Sequence, residues 1–133
     1  MTRFPDWPER LAAYIEARRA RAFVWGEHDC ALFAADWVHE ATGRDPAAAL
    51  RDTYQTAGEA ARILHRHGGL ARIAGEVLTE WLTPRMAGRG DVALVENAGR
   101  EALAIVDGAH LIGPGPAGLT FLPLEHALRA WKV

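Results

Sequence analysis

The chain has 133 residues, half of them hydrophobic and 24% charged, with a formal net charge of −2 and one cysteine. That length and balance fit one domain spanning residues 1–133 and exclude a disordered tail or a fibrous repeat. Near-neutral charge, with Lys and Arg spread along the chain, excludes the electrostatic footprint of nucleic acid or anionic lipid, and a lone cysteine excludes an internal disulfide or a cysteine-built zinc site.

From Met1 to Arg10 the chain is charged and carries two prolines, so it lacks the apolar core of a signal peptide. Asp6 with Glu9 three residues on has the spacing of a capping box, and Trp7, Leu11, Tyr14 and Ile15 then recur at helical spacing to about Arg19. Phe23 to Trp25 reads as extended and Gly26 as a turn. Asp29 then caps a second helix with an apolar face of Cys30, Phe33, Ala34, Trp37 and Val38, which Gly43 ends. Asp45-Pro46 opens a short turn, Thr56 caps a third helix that stops at Gly68-Gly69, and a further helical stretch runs from Leu70 to Leu82.

After Thr83-Pro84 the pattern changes to that of strands. Gly90-Asp91 introduces Val92 to Val95, a turn at Asn97 to Arg100 leads to Leu103 to Val106, and Asp107-Gly108 is a hairpin signal before His110 to Ile112. Gly113 to Pro116 is a rigid loop ahead of a fourth strand, Leu119 to Leu122, and Leu124 to Trp131 closes the chain as helix or extended segment. Helices followed by a meander of about four strands predict an α+β fold, the helices packed on the antiparallel sheet. The least charged stretch, Ala102 to Leu124, is broken by Asp107, Gly and Pro, so no membrane span is expected. Five tryptophans are expected to fill the core at Trp37 and to offer possible partner anchors at Trp7 and Trp131.

Cys30 is the residue with chemistry to offer. A cysteine in the first turn of a helix lies beside unpaired N–H groups and the positive end of the dipole, which favour thiolate; a cysteine on an apolar stripe can equally be a packing residue.

The stretch Trp25-Gly26-Glu27-His28-Asp29-Cys30 followed by Ala31 to Trp37, with Asp-Cys opening a helix, resembles the nucleophile segment of NlpC-type, papain-like cysteine peptidases. Arg89-Gly90-Asp91-Val92-Ala93-Leu94 resembles that family's first sheet strand, and Leu103 to Gly108 its next strand and hairpin. The version with Gly43-x-Asp45-Pro46, Arg51-x-x-Tyr54 and Gly68-Gly69 is most similar to small tail proteins of phages, prophages and gene-transfer particles. The resemblance implies a papain-like fold, a place in a virion tail after synthesis in a bacterial host, and other tail-tip or baseplate proteins as partners, with peptidoglycan as the material such a peptidase cuts. No cofactor or metal is implied.

One departure decides how the resemblance is read. Active members carry a catalytic histidine at the start of the strand after the Gly-Asp strand, and the matching place here is Ala102. A cysteine peptidase needs a base in hydrogen-bond reach to form thiolate and protonate the leaving amine. His110 is the best replacement, since period two puts it on one face with Ile112, where the resemblance places the orienting polar residue. His28 ranks below it, and His39, His65, His67 and His126 read as surface residues. The expected site is therefore Cys30, His110 and Asp29 if the protein is active, Asp29 also being explained by capping. The main expectation is a structural tail component that keeps the peptidase fold without its chemistry. The alternatives are a peptidoglycan endopeptidase and, less favoured, a metal or cluster ligand shared with a partner.

Overall fold

The structure, a computed structural model, describes residues 2–133. Four helices come first: α1 (Trp7–Arg18), α2 (Cys30–Thr42), α3 (Ala57–His67) and α4 (Leu70–Val77). Six strands follow: β1 (Trp81–Leu82), β2 (Val92–Asn97), β3 (Arg100–Asp107), β4 (His110–Gly115), β5 (Gly118–Pro123) and β6 (Arg129–Trp131). They form one sheet in the order β1-β6-β2-β3-β4-β5, with every pairing antiparallel.

The fold is α+β as the sequence indicates, and β2 to β5 are the expected meander. The sheet has six strands and not four because the tail folds back: β6 pairs Trp131 with both Trp81 and Val92. Strands of two and three residues are too short to leave a period-two pattern, so their pairing is a tertiary event. For the same reason the expected helix Leu70 to Leu82 ends at Val77, and Trp81-Leu82 joins the sheet.

Period two divides the sheet cleanly. Val92, Leu94, Leu103, Ile105 and Ile112 face the helices and pack with Leu11, Phe33, Trp37 and Ala74, whereas Ala93, Val95, Ala104, Val106 and Leu111 form a second cluster on the other face. That second face is partly covered by Leu122, Leu124 and Ala127. β2 is buried on both faces along Val92 to Val95, which is why it reads as a continuous apolar run.

The N-termini of α2 and α3 are capped as their sequences suggest. Asp29 accepts from the Leu32 N–H at 2.9 Å and Thr56 from the Glu59 N–H at 3.1 Å. Gly43 and Gly68 close α2 and α3 in the left-handed region, at φ 79° and 84°. Asp6 does not form the expected capping box; its carboxylate instead accepts from Arg10 Nε at 2.7 Å, an exposed pair.

Two long-range ties fix the helices on the sheet. Trp37, fully buried, donates its indole N–H to the Gly90 carbonyl at 2.8 Å, which anchors α2 to the lead-in of β2. The next residue, Asp91, is buried and accepts from Arg3 Nη2 at 2.7 Å, the Val133 N–H at 3.0 Å and the Gly88 N–H at 2.9 Å. One carboxylate therefore joins the two ends of the described chain. Trp131 is core and not the anchor the sequence suggested, because β6 carries it under the helices; the exposed tryptophan is Trp81, at 73%.

Candidate functional site

The site begins with a tight loop. The Val24 and His28 backbones exchange hydrogen bonds at 3.1 and 2.8 Å around Gly26, which has φ 79°. A Cβ at Gly26 would run into the Tyr54 carbonyl oxygen, so only glycine fits there. Asp29 follows in extended conformation with 1% exposure. Its Oδ1 caps Leu32, and its Oδ2 accepts from the Gly26 N–H at 2.9 Å and the Tyr54 hydroxyl at 2.6 Å.

Tyr54 is held by the segment after α2. Arg51 bridges Asp36 of α2, at 2.6 Å, and Asp45, at 2.7 Å, and so folds that segment back on the helix. The spacing Arg51-x-x-Tyr54 thus has a physical reading: the arginine pins the loop and the tyrosine reaches the cap. Burial, and then the Asp29 carboxylate beside it, push the Tyr54 hydroxyl well above the ordinary tyrosine range.

Cys30 is the first residue of α2 and is half-buried. Its thiol lines a cavity of about 950 Å³ bounded by α2, α3, α4 and β3. The expectation that the helix N-terminus favours thiolate is reversed in the fold. Burial pushes the Cys30 thiol from its ordinary 9.0 up to about 11; the Leu103 backbone facing it offsets part of that rise, and the negative charge of Asp29 adds to it. Asp29 therefore acts against ionisation of its neighbour. Its fixed partners are the loop, the cap and Tyr54, none of them a histidine.

Leu103 stands across from the thiol because of strand register. Val106 exchanges backbone bonds with the β2 side, through Gly90 and Asp91, so alternation turns the Leu103 amide away from β2. The β3–β4 ladder ends at Ile105–Ile112, two residues before Pro114, which has no N–H to offer β3. The Leu103 side chain packs in the helix-side core, to which Cys30 also packs. Ala102, the position that the family resemblance matches to the catalytic histidine, packs with the cluster on the opposite face. The residue facing Cys30 is thus one position further on, and it is a leucine.

The histidines are placed as follows. His110 shares a face with Ile112, as expected, but pairs with Asp107 at the outer end of the β3–β4 hairpin and is exposed. Asp107 lies four residues along β3 from Leu103, roughly 13 Å at about 3.3 Å per residue. His110 does not line the cavity, so the structure does not bring it together with Cys30 and Asp29. His28 is 2% exposed, stands edge-on to Phe33 with ring centroids 5.7 Å apart, and also lies outside the cavity lining. His39, His67 and His126 are exposed and outside it too. Of the six histidines only His65, on α3, borders the cavity. Sequence reasoning set His65 aside and had no signal for Leu103 or for the cavity, since each depends on how α3 and β3 come to face α2.

Residues 2–133 match the model of the family described as "Domain of unknown function (DUF6950)". The chain belongs to the DUF6950 family. No curated protein matches it. Among solved structures, the crystal structure of the NlpC/p60 domain of peptidoglycan hydrolase SagA is similar, with a TM-score of 0.61 over 94% of this chain and 97% of that one, at 18% identity. At that identity the likeness establishes the fold. Among the described residues of this DUF6950 chain no group of three or more His, Cys, Asp or Glu could hold a metal ion. No helix of the described chain is long and apolar enough to cross a membrane.

Proposed function

We propose that this DUF6950 chain is a structural component of a phage-type tail tip or baseplate, an NlpC-like fold used as a docking module without peptidase chemistry. The observation that carries the reading is Leu103: the strand facing the Cys30 thiol offers a leucine where hydrolysis would need a base. A thiol raised to about 11 is almost wholly protonated at neutral pH and a poor nucleophile. The tail assignment is supported by the motif order from Trp25 through Gly69. A docking role is supported by Trp81 and Met86, exposed at 73% and 72% on and just after the edge strand β1.

The test has two arms. Purified protein is incubated with peptidoglycan and the released peptides are measured against Cys30→Ala; no Cys30-dependent release is expected, and such release overturns the loss of chemistry. The chain is then expressed with the tail module encoded beside it and particles are fractionated; co-purification that Trp81→Glu and Met86→Glu together abolish supports docking, and absence from particles overturns it.

A second reading, a thiol endopeptidase acting on peptidoglycan, has one observation in its favour: His65 borders the same cavity as Cys30. It requires α3 to bring the imidazole onto the thiol when substrate binds. Loss of cleavage in His65→Ala, with His110→Ala unaffected, is its signature.

A further inference from the structure

The two edges of the sheet are finished differently. At β5 the Leu119 N–H is taken by the Arg19 carbonyl at 2.9 Å and Pro123 has no N–H, so that edge is blunted against a further strand. The edge at β1 is open. Lys132 donates its N–H to the Glu80 carbonyl at 2.7 Å, in the register that sets Trp81 opposite Trp131. Hydrogen-bonded and free pairs alternate along an antiparallel ladder, so Glu80 turns its backbone to β6 and Trp81 turns its N–H and C=O outward. No described residue outside the β1–β6 ladder takes them. The Trp81 indole stands beside these groups with 73% of its surface exposed.

Such an edge is a template for an added strand, and its charges say which one fits. Glu80 precedes Trp81 and Arg85 follows it. Both are exposed, and neither joins a salt bridge among the described residues, although Lys132 lies across from Glu80 on the β6 side. A two-fold axis at Trp81 lays the edge of a second copy antiparallel on the first, which brings the acidic side of each copy beside the basic side of the other. A parallel arrangement would set Glu80 beside Glu80 and Arg85 beside Arg85. The two-fold arrangement also makes Trp81 a hydrogen-bonded pair with its own copy, each N–H donating to the other's carbonyl and the two indoles opposite each other on one face.

We propose that the Trp81 edge of β1 pairs with the same edge of a second copy, joining two six-stranded sheets across a two-fold axis. The proposal goes beyond the tail reading and does not require it; it is tested on the purified chain alone, so a failure here is distinct from absence from particles. Sedimentation velocity of the full chain from about 5 to about 500 μM is expected to show a reversible monomer–dimer equilibrium. Trp81→Glu sets two carboxylates opposite each other and is expected to weaken the dimer at least about tenfold. Glu80→Arg and Arg85→Glu are each expected to weaken it about fivefold or more, since each turns attraction into repulsion at two symmetry-related places. Mixed one to one, those two variants are expected to form a heterodimer tighter than either homodimer, because one copy then carries only positive charge at the two places and the other only negative. All three positions are exposed, so melting temperatures are expected to stay within a few degrees of the parent's. A chain that stays monomeric to about 500 μM overturns the pairing, as does a dimer indifferent to Trp81→Glu. A mixture no more associated than its components overturns the antiparallel two-fold register.

Discussion

Tyr54 donates its hydroxyl to Asp29 Oδ2 at 2.6 Å, and through that bond the segment after α2 holds the residue that caps the helix carrying Cys30. Removing the hydroxyl in Tyr54→Phe leaves Asp29 its two backbone donors and is expected to cost about 1.5–3 kcal/mol, the range for a hydrogen bond to a charged group. Asp29→Ala leaves the Gly26 and Leu32 N–H groups and the Tyr54 hydroxyl without their acceptor and is expected to cost more than Tyr54→Phe. Urea unfolding of the two variants checks the order; a silent Asp29→Ala would show that the cap is not structural.

The Cys30 thiol is expected to alkylate slowly at neutral pH, with a rate that rises along an apparent pKa near 11 and is unchanged in His110→Ala. Asp29→Asn removes a negative charge beside the thiol and is expected to lower that pKa, since the lost repulsion had favoured the neutral form. The same shift sets a stability window. The unfolded thiol ionises near 9.0 and the folded one near 11, so the folded chain holds its proton longer, and the stability this contributes is complete below 9.0 and lost as pH rises through 11. Iodoacetamide kinetics against pH measure the first effect and urea midpoints between those limits the second.

Leu103→His and Ala102→His separate the two faces of β3. Leu103 packs on the Cys30 side and Ala102 on the other, so only Leu103→His is expected to place an imidazole near the thiol and bring its apparent pKa down by about one unit or more. Both replacements cost stability, Leu103→His more because Leu103 is buried. Alkylation profiles of the two variants decide it: an equal effect from Ala102→His would reverse the assignment of faces.

His28 gives the opposite pH signature. Burial, and then the positive charges of Arg21 and Arg18, hold its pKa below the ordinary 6.5, while Asp36 and Asp29 oppose the shift weakly; Nε2 is buried without a partner. On acidification the unfolded chain takes up this proton first, so the stability His28 contributes is present above pH 6.5 and lost as pH falls through its lower folded value. Melting temperature is expected to fall between about pH 7 and pH 5, and more steeply than in His28→Leu, which removes the titration. Parallel curves for parent and variant would exclude His28 as the cause.

Much of the fold and part of the site are legible in the sequence because local chemistry dictates them. Asp29 and Thr56 cap, Gly43 and Gly68 stop helices, and the runs Val92 to Val95 and Leu103 to Val106 can hardly be other than strands; each of these depends on neighbours within a few residues. The same locality puts Cys30 in the first turn of a helix. Its ionisation was not legible, because the thiol answers first to burial and then to the backbone of Leu103, some seventy residues away in the chain. Which side of β3 meets Cys30 was equally hidden: a shift of one residue exchanges the two faces, and only the assembled sheet fixes whether Ala102 or Leu103 is presented. The pairing of β6 with β1 and β2, the Tyr54–Asp29 bond and the alanine-lined cavity belong to the same class. Sequence determined the elements and where the cysteine sits among them. Tertiary structure alone decided what that cysteine faces, because a contact between distant segments leaves no periodicity in either of them.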